Sequence, residues 1–427
     1  MKHLSILFFI SVSCLSFSCM KEENVIIAPR DTDNHTIPLK EALTSLDSFM
    51  DDAGLRTRSG EEKTYDLSKI SIFGKSQLSP ATRAAGEKDN LPDTLIYIVP
   101  FSDEDGFAIL AANDVLKSTI LCVTEEGAIS SSDFEKAYES LIDRSTISSY
   151  MEDNKKNMED MGEAFVPAVL LSSMVLQANG VYIEQERRES TKSALYVRQF
   201  GPFVKTKWHQ RSPFWNYNSN QVVGCCTIAV GQILVANRYA PSLTFEGKTC
   251  TWNDLESVYY YSTPFSAGSS EAQDQAAHFI KYIMNSDNLN GTGNSGSSIK
   301  AKRVFENFGY SNVTRHWGYA AAEGDILIAL QYGYPVYADG LKKWSTNGHC
   351  WVIDGLLIRV EDEVNWYHHI NWGWNGIWDG YYNEHVYNVA NRQFYDDEID
   401  YYTHDQTGST SNYTWDLWFI TYSGLSL

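Results

Sequence analysis

Two cysteines stand side by side behind a glycine in "NQVVGCCTIAVGQILVANRY", the stretch from Asn220 to Tyr239. Ala229, Val230, Ile233 and Leu234 follow at helical spacing, which predicts a helix that starts at the cysteines and buries one face. A thiol in the first turn of a helix feels the positive end of the backbone dipole, and that favours the thiolate. Cys225, directly after Gly224, is therefore placed as a nucleophile, and its own amide is placed to meet an oxyanion. The plainer alternative is that both cysteines are small apolar side chains packed at a helix start, since unpaired cysteine is among the most buried residue types. Choosing between the two requires a base elsewhere in the chain.

Ten histidines are available, and His349 has the most telling surroundings. It opens the strand-like run "HCWVIDG" just after Asn347-Gly348, and a second run, "NWYHHINW", returns after a charged turn at Glu361 to Glu363. A hairpin of these two runs is expected to bring His349 beside Asn371. An imidazole held by an amide side chain keeps the tautomer and orientation that a cysteine nucleophile needs. His368 and His369 are rivals on the return strand. Strand alternation puts His369 on the face of Asn371, which suits a core or supporting residue.

These residues need a scaffold, and the chain is long enough to supply one. Its 427 residues, 43% hydrophobic and 13% aromatic, allow two or three packed domains. The net charge of −20 comes without a basic cluster, so a nucleic acid or an anionic membrane surface is not an expected partner. Seven cysteines occur, two of them (Cys14 and Cys19) near the N-terminus. The remaining Cys122, Cys225, Cys226, Cys250 and Cys350 are odd in number, which argues against a dense disulfide framework. Without a CxxC or HExxH pattern, no metal or other cofactor is expected.

Along the chain, "MKHLSILFFISVSCLSFSCMKEEN" reads as an export signal too short for a comfortable membrane span. Cys19 stands where a bacterial lipoprotein signal is cut and the cysteine lipidated, with an ordinary cleaved signal as the alternative. Apolar residues from Ile37 to Met50 recur at helical spacing, and a polar loop is expected from Asp51 to Thr64. Between Asp93 and Ile129, "DTLIYIVPF", "FAILAAN" and "STILCVTEEG" read as three strands, and the charged run "SDFEKAYESLIDR" as a solvated helix. Residues 36 to about 170 thus form a small α+β unit. The polar, dibasic stretch from Gln185 to Ser193 suits an exposed linker open to proteolysis. A larger, Trp- and Tyr-rich unit begins near Tyr196 and ends in the strand-like "YTWDLWFITY".

Five segments, "KWHQRSPFWN", "GCCTIAVGQI", "SGSSIKAKRVFENFGY", "GHCWVIDG" and "HINWGWNGIWDGYY", occur in the order of matching segments in the streptopain family of papain-like cysteine peptidases, and the chain resembles that family. The resemblance implies an α+β fold: a papain-like catalytic domain over residues 191–427, preceded by a small α+β inhibitory propeptide over 19–190 and a lipoprotein-type signal over 1–18. "YIVPFSDEDGFAILAAND" resembles a segment of the family's propeptide. The family pattern makes Cys225 the nucleophile, His349 the base and Asn371 the orienting residue. It makes Trp372 the ring that shields the pair from water and Gln210 a side-chain donor to the oxyanion beside the Cys225 amide. Residues near Trp344 and from Asn294 to Ser298 would border the cleft.

The implied function is a secreted or surface-anchored cysteine endopeptidase made as a zymogen, with an apolar residue preferred two positions before the cut. Its partners would be protein or peptide substrates and its own propeptide as an intramolecular inhibitor, with a membrane contact only through lipid on Cys19. Before processing it would be an outer-membrane or cell-surface lipoprotein, and the mature domain would be extracellular. A surface binding protein on the same fold is the alternative. Some positions depart from the family: Val230 and Gly231 change the packing of the nucleophile helix, Cys226 replaces the usual valine and Cys350 the usual alanine. Each of these two cysteines is a small buried side chain or a partner in a regulatory disulfide, with the other or with Cys225.

Overall fold

The computed structural model describes residues 36–78, 91–142, 166–174, 194–384 and 415–425, apart from short interruptions within these spans. Cys19, the signal, the linker from Gln185 to Ser193, Trp344 and Asn294 lie outside the described residues. The segment from His35 to Leu427 is one compact unit.

The N-terminal part follows its hydrophobic pattern. Helix α1 (Leu39–Ala53) buries Leu43, Leu46, Phe49 and Met50 along one stripe, and Gly54 ends it in the left-handed conformation at φ 62° that glycine adopts most easily. The helix therefore runs slightly into the expected polar loop. The three expected strands are β2 (Ile96–Pro100), β3 (Phe107–Ala111) and β4 (Ile120–Thr124), and a short β1 (Ser71–Phe73) pairs with β2. Helix α2 (Ser131–Ile142) is less solvated than its charge suggests, because Phe134, Ala137 and Tyr138 are buried.

The C-terminal part supplies β5 (Tyr196–Phe200), β6 (Thr314–Trp317), β7 (Val336–Lys342), β8 (Gly348–Val360), β9 (Val364–Asn371), β10 (Gly380–Asn383) and β11 (Trp415–Thr421). These eleven strands join one sheet in the order β1-β2-β3-β4-β10-β9-β8-β7-β11-β6, with β5 alongside the far half of β8. The two parts meet edge to edge, where β4 pairs antiparallel with β10 through Thr124 and Gly380, Val123 and Tyr381, and Cys122 and Tyr382.

The long strand β8 separates two cores because alternate side chains leave opposite faces. Cys350 and Val352 pack with helix α3 (Cys225–Ala236), α4 (Trp252–Ser257), α5 (Ser270–Ser286) and α6 (Ser297–Asn307). Trp351 and Ile353 pack on the other side, in a core continuous with that of the N-terminal part. A further helix, α7 (Tyr319–Gln331), joins this second core through Tyr319, Ala322 and Ile326. The fold is thus α+β, as expected.

Candidate active site

Helix α3 starts at Cys225, as its spacing predicts, but it does not bury only one face. Every residue from Cys226 to Val235 is buried, because the sheet covers one side and neighbouring helices the others, and a helix apolar all round is a core helix. Gly231 shows how tight this is: a Cβ there would stand 2.9 Å from Ile280 Cδ1 and 3.1 Å from the Trp208 ring. Gly224 has φ 86°, a conformation that glycine alone adopts readily, and this turn delivers Cys225 to the first helical position. Among the described residues no side chain caps the helix, so its first amides keep their positive ends open to an anion.

The expected hairpin is β8 and β9, but its register is offset from the one imagined. Asn371 lies across from Val352, three residues inside β8 from His349. His349 therefore reaches past the end of β9 and meets the backbone of the next residue: its Nε2 is 2.8 Å from the Trp372 carbonyl oxygen. A carbonyl only accepts, so Nε2 carries the hydrogen and Nδ1 presents its lone pair. His349 acts on the Cys225 thiol and pulls its pKa down, which sets nucleophile and base side by side.

Asn371 takes a different place from the one expected. Its Oδ1 accepts from Gln232 Nε2 at 2.9 Å and from the Gly373 amide at 3.1 Å, and its Nδ2 donates to the Thr206 carbonyl at 2.9 Å. It ties the end of β9 to the nucleophile helix and to the chain entering the site, and the contact with the His349 ring falls to the Trp372 carbonyl. The shielding ring is also shifted. Trp374 stacks on His349 with centroids 4.3 Å apart and planes 21° from parallel, while Trp372 and Trp351 lie at 6.2 and 6.4 Å. Trp372 is buried and donates its Nε1–H to Tyr382 Oη at 3.1 Å. The sequence signal for Trp374 is the second indole of Asn371-Trp372-Gly373-Trp374, which presents two rings one turn of chain apart.

Gln210 is buried, and its carbonyl accepts from the Val223 amide at 3.2 Å, which holds it beside the strand of chain leading to Gly224. Among the described residues its side-chain amide has no hydrogen bond, so it is available to a ligand.

The thiol of Cys225 is not lowered as the helix dipole alone suggests. Its pKa is raised well above the ordinary value, first by a hydrogen bond donated to Cys350 and then by burial, with His349 pulling the other way. Cys350 and Cys226 complete a cluster of three thiols. Tyr337 Oη lies 3.2 Å from Cys226 Sγ and 3.1 Å from Cys350 Sγ, with Asp339 Oδ2 at 3.3 Å.

The two rival histidines are committed elsewhere. His368 is driven down to about 3 by burial, and its Nε2 meets Tyr319 Oη at 2.7 Å. His369 lies between Asp354 Oδ1 at 2.6 Å from Nδ1 and Glu125 Oε1 at 3.2 Å from Nε2. Burial alone would depress it, but the two carboxylates reverse this and hold it near 10, a fixed cation. Glu125, from the turn after β4, also bonds Lys207 Nζ at 2.8 Å. Nothing in the local pattern of "TEEG" or "KTKW" announces this buried cluster, because its members come from distant parts of the chain.

Residues 208–382 match the model of the Peptidase C10 family. The resemblance read from the sequence is borne out over this matched segment. The chain is 35% identical over 96 residues to streptopain of Streptococcus pyogenes, covering 21% of this chain and 22% of the relative, and streptopain of serotype M1 gives the same figures. The chain thus spans about a fifth of the length of the curated relatives it matches. A solved fragment of Prevotella intermedia prointerpain A is 15% identical with a TM-score of 0.44, over 76% of this chain and 94% of that one. Among the described residues no group of histidine, cysteine and carboxylate side chains is placed to hold a metal ion, and no helix is long and apolar enough to cross a membrane.

Proposed function

We propose that the protein is a cysteine endopeptidase made as a zymogen, with residues 19–190 as propeptide and 191–427 as catalytic domain. The observation that carries this reading is a half-buried thiol at the first position of a helix, beside a histidine whose Nε2 is held by a backbone carbonyl. That constellation serves acyl transfer. The His349 Nδ1 lone pair takes the Cys225 proton as sulfur attacks the scissile carbonyl, and the Trp372 carbonyl steadies the imidazolium that forms. The Cys225 amide and the Gln210 side chain receive the oxyanion. His349 then returns the proton to the leaving amine, and water attacking the acyl-enzyme releases the acid. Trp374 covers the imidazole, and Asn371 acts as a positioning residue through Gln232 and Thr206.

Substrates would be proteins or peptides. The preference for an apolar residue two positions before the cut rests on the family resemblance. Arg188 and Lys192 in the polar linker are sites for the cut that frees the catalytic part. Export, lipid on Cys19 and display at the outer surface rest on the N-terminal sequence.

The test is to express residues 20–427 as wild type and as Cys225→Ser and to follow both by intact mass while an unstructured protein is offered as substrate. The wild type is expected to shorten and to digest the substrate, and the variant to stay long and inert. Loss of about 10⁴-fold or more in rate is the scale for removing a nucleophile. If both proteins stay inert after trimming by a second protease, the peptidase reading fails and the binding-protein alternative takes its place.

A further inference from the structure

The acyl-transfer chemistry needs one thiol, yet three are gathered at the head of α3. Cys225 and Cys226 come from the helix and Cys350 from β8, while Cys122 and Cys250 lie elsewhere, on β4 and against the Gln275 carbonyl. The three differ in exposure: Cys225 is partly exposed, whereas Cys226 and Cys350 are buried, only 8% and 4% exposed. The Tyr337 hydroxyl reaches the sulfurs of both buried cysteines and so ties Cys350 to the head of α3 from the sheet side. Cys350 is also the largest influence on the Cys225 thiol, which sets the two side chains next to each other. A partly exposed nucleophilic thiol with a second, protected thiol next to it is the arrangement that turns oxidation into a reversible disulfide instead of irreversible damage.

We propose that Cys350 is a resolving thiol for Cys225, so that a peroxide closes a Cys225–Cys350 disulfide that switches the site off and spares the nucleophile from overoxidation. This rests on the reading of Cys225 as the nucleophile. In the first step the Cys225 sulfur attacks one oxygen of hydrogen peroxide, the O–O bond breaks, and the departing hydroxide leaves as water with the thiol proton. The product is the Cys225 sulfenic acid. In the second step the Cys350 sulfur attacks the Cys225 sulfur, the S–O bond breaks, and the hydroxyl leaves as water with the Cys350 proton. Two thiols are oxidised by two electrons, and one peroxide is reduced to two waters. Burial holds the resting Cys350 as a neutral thiol, which keeps it inert until the sulfenic acid forms next to it. Cys226 is the poorer partner for Cys225, because consecutive residues at a helix start send their side chains in different directions.

The experiment treats the full chain with hydrogen peroxide, blocks the remaining thiols with iodoacetamide and maps the peptides by mass. The expected product is a peptide pair joined through Cys225 and Cys350 with the loss of two hydrogens, reversed by dithiothreitol. Cys226→Ala is expected to form the same bond. Cys350→Ala is expected to lose it and to accumulate sulfinic acid on Cys225. A bond between Cys226 and Cys350, sulfinic acid on wild-type Cys225 without a link, or an unchanged mass would each overturn the proposal. Peptidase assays before and after peroxide, on protein whose N-terminal part has been cleaved off, separate the two readings. A mapped disulfide in a chain inert in both states sinks the peptidase alone, and an active enzyme without the bond sinks the switch alone.

Discussion

His349 and His369 stand on neighbouring strands of one sheet, and both are buried, yet their surroundings are opposite. His349 lies among three indoles, with one nitrogen on a carbonyl and the other turned to a thiol. His369 is clamped at both nitrogens by carboxylates, within a cluster that also holds Lys207 and Asp379. The difference teaches what makes a buried histidine reactive. A base must keep one nitrogen with a free lone pair, and a cage of indoles with a single acceptor on the other nitrogen leaves it one. Two carboxylates remove it, because the cation they hold does not release its proton near neutrality.

The regions are also joined. The Glu125 amide bonds the Asp379 carbonyl at 2.7 Å, Asp379 Oδ1 accepts from the Trp372 amide at 2.8 Å, and the Trp372 carbonyl holds His349. The N-terminal part thus touches, through one short chain of hydrogen bonds, the peptide group that orients the candidate base.

The comparison breaks most sharply if the two histidines are exchanged in role. His349→Ala is expected to abolish proteolysis, by on the order of 10³-fold or more, with a small change in melting temperature. His369→Ala is expected to leave Asp354 buried without its cation and Glu125 with Lys207 alone, a loss of about 3–5 kcal/mol of stability. Urea unfolding and a rate assay on the same pair of variants decide it; a His369→Ala protein as stable as wild type but inert would reverse the assignment.

The charged region is sharpened by pH. The pKa of His369 is raised from 6.5 to about 10, so its stabilising effect is complete below its unfolded value and is lost as pH rises toward 10. Glu125 is lowered despite its burial, first by Lys207 and then by His369. Its effect is present above the ordinary 4.5 and is lost as pH falls below that value. Asp379 opposes this, since burial raises it to about 7 and its ionisation costs stability as pH climbs from 3.8 toward 7. Glu125→Gln is expected to flatten the acid limb of the stability curve by about 3 kcal/mol. An acid limb in the variant that coincides with that of the wild type would show that the cluster is not held by Glu125.

The smallest expected effect separates the two ways of holding the imidazole. Asn371→Ala removes the partner of Gln232 Nε2 and of the Thr206 carbonyl, so it is expected to cost about 1–3 kcal/mol of stability. Gln232→Ala should cost less when added to it than alone, because the two share one network. If Asn371→Ala instead left stability unchanged and abolished only turnover, Asn371 would contact the base directly during the reaction.

Local pattern decided much of this protein. The apolar spacing after Gly224, the glycine that only a left-handed turn requires, the three short N-terminal strands and the β8–β9 hairpin are all set by neighbours in the chain. The sequence alone therefore placed a helix start at Cys225 and a strand start at His349. It could not decide which group would touch His349, because a shift of a few residues in strand register moves Asn371 opposite Val352 and hands the contact to the Trp372 carbonyl. Nor could it decide that α3 would be covered on every side, that Cys350 would face Cys225, or that Glu125 would meet Lys207 and His369 across more than 80 residues of chain. These are long-range juxtapositions, fixed by how the sheet joins strands from both parts of the molecule, and burial then sets the protonation of the groups it brings together.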